Sequence, residues 1–86
     1  VTVINPLGLH ARAAAQLVKR AGQFSSRITL ARVDGYGTEV NAKSILNVLT
    51  LAASSGYHLR LKAEGEDSQA AVAAITELFA TGFGEI

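Results

Sequence analysis

Eighty-six residues with 49% hydrophobic and 17% charged content give the length of one domain with a modest core, and exclude disorder on composition. A formal net charge of +1 supplies neither a broad basic field for nucleic acid nor a polybasic segment for an anionic membrane, so any anion must be recognised locally. With no cysteine in the chain, disulfides, thiolate metal sites and a cysteine nucleophile are out, which fits a reducing compartment.

"VTVI" at residues 1–4 alternates and is rich in β-branched side chains, and Asn5, Pro6 and Gly8 then break it, which predicts a short strand and a loop. A helix follows over about Ala11–Ala21. Ala14, Leu17, Val18 and Ala21 form one apolar stripe, Arg12, Gln16, Lys19 and Arg20 take the other faces, and Gly22 marks the stop. "RITLARV" places Ile28 and Leu30 on one side, and "DGYG" predicts a hairpin with Asp34 and Gly35 at its tip, leading into "YGTEVNA" from Tyr36.

In "AKSILNVLTLAA", Ile45, Leu46, Val48, Leu49 and Leu51 are more apolar residues than one helical stripe buries. "YHLRLKAEG" sets Leu59, Leu61 and Ala63 against His58, Arg60, Lys62 and Glu64, the pattern of a strand with one wet face. "EDSQAAVAAITELFATGF" opens with acids suited to a helix amino end and repeats Val72, Ile75, Leu78 and Phe79 at helical spacing. The order is βαββαβα: an α+β domain over residues 1–86, with an antiparallel sheet covered on one side by helices. No apolar run approaches the ~18–20 residues of a membrane span, and the amino end lacks the blocks of a signal peptide, so the chain reads as cytoplasmic.

"GLHARAAA" puts His10 directly ahead of the first helix, where Ser, Thr, Asp or Asn is the usual cap. A plain surface histidine at a loop-to-helix junction is one reading. The surroundings suggest another: the backbone N–H groups of Ala11, Arg12 and Ala13 and the positive helix end suit a phosphate-like anion, and Arg12 adds a forked donor. A neutral imidazole there can attack a phosphoryl group, and the transfer asks mainly for positioning and charge stabilisation. No cofactor is called for. A metal site has only His10 and His58, far apart in sequence, where zinc takes three or four protein ligands. The serines lack a nucleophile-elbow context, and no Walker-type loop is present.

Three stretches, "GLHARAAAQLV", "NAKSILNVLTLAASSG" and "LKAEGEDSQAAVAAI", together resemble the family of histidine-containing phosphocarriers, HPr, of the bacterial phosphoenolpyruvate-dependent phosphotransferase system. "LFATGFGE" is similar, more faintly, to its nitrogen-related branch. The resemblance implies an open-faced β-sandwich of four antiparallel strands and three helices. It implies that His10 is phosphorylated on Nδ1 by Enzyme I, that Arg12 stabilises the phosphate, and that the group passes to an EIIA component for sugar uptake or nitrogen-related regulation. It implies a transient carrier without free turnover, monomeric, with neither nucleic acid nor membrane insertion. The family's usual motif has proline where this chain has Ala13; alanine leaves an extra N–H and constrains Arg12 less.

Ser44 matches the family's regulatory serine, the target of an HPr kinase/phosphorylase; as a serine near a helix start it also reads simply as a cap. A phosphate there would sit beside an apolar patch and repel acidic partners. Ile45, Leu46 and Leu49 are expected to dock Enzyme I and EIIA, Leu46 and Leu49 above all, with Lys19, Arg20 and Arg27 as a basic rim. Three rivals remain. An RNA-recognition domain shares the element order but needs paired aromatics on the sheet, where only Tyr36 and Tyr57 lie near strands. An acylphosphatase-like enzyme could use Arg12, and a regulatory HPr-like binding protein would need no relay at all.

Overall fold

The computed structural model describes residues 1–34 and 39–85. Among them run α1 (Ala11–Ala21), β1 (Arg27–Arg32), β2 (Val40–Asn41), α2 (Ile45–Thr50), β3 (Leu59–Glu64), α3 (Ser68–Ala80) and a 3-10 turn at Gly82–Gly84. The sheet is antiparallel in the order β2-β1-β3. β1 and β3 pair along their whole length, from Arg27 opposite Glu64 to Arg32 opposite Leu59. α3 packs on β3, α2 on β2, and α1 against both other helices. This is the open-faced α+β sandwich expected, with the helices as its single cover.

The fourth strand differs from expectation. "VTVI" joins the sheet through one antiparallel bridge, Thr2 to His58, beside β3. Val3 still donates to the Tyr57 carbonyl at 2.9 Å and accepts from the Gly56 N–H at 2.7 Å. Pairing stops there because Asn5 opens a turn: its carbonyl accepts the Gly8 N–H at 3.1 Å, and Pro6 has no N–H to extend a ladder. The other edge is β2, two residues long. The hairpin expected before it turns at Asp34; its tip at Gly35, with Tyr36 and Gly37 of the returning arm, lies outside the described residues.

α1 has the bounds its periodicity predicts. Ala13, Ala14, Leu17 and Ala21 are buried, Val18 sits at the stripe's edge, and Lys19 and Arg20 occupy the last turn, against the negative helix end. On α3 the buried line is Ala71, Ile75 and Phe79, and Val72, expected on the stripe, is turned partly outward, 37% exposed. An alanine carries too little apolar surface to announce itself as the inward position. On β1, Ile28 and Leu30 face the helices as expected, yet Thr29 and Ala31 are buried too. Both are short side chains on a central strand, flanked by Lys62 and Asn41 and by Arg60. Leu17, Ile28, Leu30, Val48, Leu59, Ile75 and Phe79 form the core between the layers.

Candidate functional site

The loop before α1 is held by one buried side chain. Asn5 is fully buried and donates its Nδ2 to the Gly8 carbonyl at 2.8 Å. Gly8 itself sits at φ +69°, and a Cβ there would lie 2.6 Å from the Ala53 carbonyl oxygen, so only glycine fits. Leu9 is buried and donates its N–H to that same oxygen at 2.9 Å. The chain therefore enters α1 in one fixed direction, with His10 as the last extended residue (φ −75°, ψ 179°).

His10 is the helix cap. Its Nδ1 accepts the Arg12 N–H at 3.3 Å, and its carbonyl accepts the Ala14 N–H at 2.8 Å. Because Nδ1 faces a donor, the ring proton belongs on Nε2. That proton points at Glu85, whose Oε2 lies 2.5 Å from Nε2. The ring is 29% exposed and the Glu85 side chain 14%, so the pair is sheltered while the ring stays open to an incoming group. The other Glu85 oxygen, Oε1, accepts from Asn5 Nδ2 at 3.2 Å. The His10 ring above all, then the Asn5 amide and the charges of His10 and Arg12, hold the Glu85 carboxyl below the usual carboxylate range, against the opposing effect of partial burial.

An unusual backbone brings Glu85 there. Gly82, Phe83 and Gly84 take φ values of +60°, +56° and +76° in succession. Glycine does this freely, whereas an L-phenylalanine pays about 1–2 kcal/mol for the left-handed region. Phe83 is buried and packs edge-on against Phe79, with ring centroids 4.9 Å apart and planes at 72°. That burial holds the turn closed, and the Glu85 N–H then bonds back to the Gly82 carbonyl at 3.0 Å. Sequence reasoning missed Glu85 and Asn5 as site residues. The available signal was "GFGE", an aromatic between glycines followed by an acid.

Of the other candidates, Ala11, Arg12 and Ala13 form the first turn of α1, which carries no acidic residue. Ala11 and Arg12 are exposed while Ala13 is buried. Ser44 caps α2: its Oγ accepts the Asn47 N–H at 3.4 Å and the Asn47 amide at 3.1 Å. On α2 Val48 is buried, as is Leu51 at its C-cap, while Leu46 is 73% exposed and Ile45 and Leu49 also face solvent. Leu7, not singled out from the sequence, is 71% exposed on the loop before His10. Lys19, Arg20 and Arg27 are all exposed. Arg20 is engaged locally, bonded to Gln23 and stacked over the Phe24 ring at 5.3 Å.

Comparison with known proteins gives this geometry a context. The family described as PTS HPr component phosphorylation site matches residues 1–81. The chain is 49% identical over 85 residues to the phosphocarrier protein HPr of Xylella fastidiosa (strain Temecula1 / ATCC 700964), covering 99% of this chain and 92% of that protein. It is 42% identical over 83 residues, 96% of its length, to a stretch making up 22% of the multiphosphoryl transfer protein of Salmonella typhimurium. The crystal structure of HPr-C-His from Thermoanaerobacter tengcongensis superposes with a TM-score of 0.92 at 40% identity, covering all of this chain and 93% of that one. Fold and relatives together define a phosphocarrier of the phosphotransferase system, a protein that carries a group and is not a catalytic enzyme. The chain belongs to the HPr family.

Proposed function

We propose that His10 accepts a phosphoryl group from Enzyme I on Nδ1 and passes it to an EIIA-type acceptor. The observation that carries this reading is the position of His10: a solvent-accessible ring at the amino end of α1, with Nδ1 directed toward the Arg12 N–H. A helix amino end favours added negative charge. The exposed Arg12 guanidinium is free to swing onto phosphoryl oxygens, and a guanidinium matches them with two donors at once. Attack by the Nδ1 lone pair on phosphorus needs no metal and no separate base.

In this reading residues 1–86 act as one monomeric carrier domain in the cytoplasm. Ile45, Leu46 and Leu49, exposed on α2, form the apolar docking surface, and Lys19 and Arg27 supply steering charge. Ser44 is the regulatory position, open to an HPr kinase/phosphorylase. A phosphate there would keep an acceptor at the amino end of α2, where negative charge is favoured, and set about two negative charges beside Leu46 and Leu49, against acidic partner groups. The similarity of "LFATGFGE" to the nitrogen-related branch makes the nitrogen-type Enzyme I the first donor to try.

The test is intact mass after incubation with phosphoenolpyruvate and Enzyme I of either branch, with His10→Ala alongside and a brief acid treatment afterwards. One acid-labile phosphoryl group, absent from His10→Ala, is the expected result. No transfer from either Enzyme I would overturn the relay and leave a regulatory binding protein.

A further inference from the structure

We propose that Glu85 is a positioning residue that decides which nitrogen of His10 reacts. The proposal rests on the phosphocarrier reading and goes beyond it: Glu85 blocks Nε2 and leaves Nδ1 as the only lone pair on the ring. A neutral imidazole offers two chemically similar nitrogens and exchanges tautomers freely in water, so a carrier that must present one nitrogen needs something to hold the proton on the other. Here the Oε2 of Glu85 lies 2.5 Å from Nε2. A carboxylate accepts and cannot donate, so the proton stays on Nε2.

The carboxylate is itself fixed from two sides. Asn5, fully buried, binds the Oε1 of Glu85 with the same Nδ2 that ties down the Gly8 carbonyl. The left-handed turn at Gly82–Gly84 is locked by the buried Phe83 ring. A non-glycine residue held at positive φ immediately before a site is the kind of backbone strain that persists only where surrounding packing enforces it. Its effect here is to carry Glu85 back against a ring 75 positions earlier in the chain.

The chemistry balances without a further reactant. With phosphoramidate as a small donor, the Nδ1 lone pair forms the N–P bond, the donor's P–N bond breaks, and its ammonium nitrogen leaves as ammonia. The Nε2 proton stays on the ring, which becomes cationic, and Glu85 faces that cation as a buried aspartate faces the imidazolium of a serine protease.

Two readouts test this on the full chain, comparing it with Glu85→Ala and Glu85→Gln. Ring nitrogen NMR, at a pH where His10 is neutral, is expected to show the Nε2–H tautomer alone in the unaltered chain. In Glu85→Ala that preference should fall about tenfold, toward the mixture of a free imidazole, as expected for losing one charge-assisted hydrogen bond. After phosphoramidate treatment, phosphorus NMR should show one His10 product, on Nδ1, in the unaltered chain and a second, Nε2-linked product in Glu85→Ala. Glu85→Gln, which keeps an oxygen able to accept the Nε2 proton, should fall between the two. A purely structural role for Glu85 would leave both the tautomer ratio and the linkage unchanged, and that result overturns the proposal. So does an Nδ1–H tautomer in the unaltered chain. If tautomer and linkage behave as expected while Enzyme I transfers nothing, the carrier reading fails and the role of Glu85 in the ring's chemistry stands.

Discussion

The Asp67 carboxylate grips Ser26 twice, Oδ1 accepting both its N–H at 2.9 Å and its hydroxyl, while Oδ2 takes the Ser25 N–H at 2.8 Å. Asp67 stands at the cap position of α3 yet makes no side-chain cap bond to its own helix. It ties the start of α3 to the start of β1, 41 residues away. The acid that the sequence places at a helix amino end thus serves as a clasp between layers.

This clasp predicts an acid limit to stability. The Ser26 hydroxyl, with the Ser25 and Ser26 N–H groups, lowers the Asp67 carboxyl from the ordinary 3.8 to about 2. A carboxyl whose folded value is depressed contributes stability above its unfolded value and loses it as pH falls toward the folded one. Asp67 should therefore stabilise fully above about pH 4 and fade between pH 4 and pH 2. Denaturant midpoints across that window should fall in the unaltered chain, and Asp67→Asn should flatten the fall while lowering the plateau.

Gly8→Ala should destabilise and misdirect at once. The left-handed φ alone costs an alanine about 1–2 kcal/mol, and the contact with the Ala53 carbonyl oxygen at 2.6 Å adds to it. Urea denaturation should show a loss of at least that size. Phosphoryl transfer to His10 should slow in the fraction that remains folded, because Leu9 would lose its bond to the same oxygen.

Two leucines on neighbouring helices should behave oppositely. Leu17→Ala empties a fully buried site and should cost about 2–5 kcal/mol in denaturation. Leu46→Ala, at a position 73% exposed, should change stability by no more than about 0.5 kcal/mol. If α2 docks the phosphoryl donor, Leu46→Ala will instead raise the donor concentration needed for half-maximal transfer.

Arg12→Lys should separate charge from geometry. The side chain is exposed, so stability should move by less than about 0.5 kcal/mol. A lysine keeps the charge and loses the forked pair of donors, so the transfer rate measured by intact mass should fall well below the unaltered value, with folding undisturbed.

Much of this was legible along the chain. The bounds of α1 follow from Ala14, Leu17 and Ala21, and the wet face of β3 from the alternation of Leu59, Leu61 and Ala63 with charged residues. Periodicity reads such elements because each buries its own stripe. It overstated "VTVI", whose pairing is cut short by a turn that Asn5 closes through contacts no local pattern reports. It placed Val72 inward where Ala71 fits closer to the sheet. Of the site, His10 and Arg12 were visible as residue types at a helix start. Glu85 was not, because it reaches His10 through a left-handed phenylalanine, a conformation that local preference argues against and only burial of the ring enforces.

The lone pair on His10 that would take up the phosphoryl group is the same one that receives the Arg12 N–H. Loading the ring would therefore evict that N–H from its acceptor and, in the same event, deliver phosphoryl oxygens to the place it points. One terminus of α1 would exchange a neutral acceptor for an anionic one without being left open in either state. A protein that must be filled and emptied in turn would then meet both conditions with the same backbone, and its charged form should unfold somewhat above its resting form, because an anionic acceptor suits a helix amino end better than a neutral one.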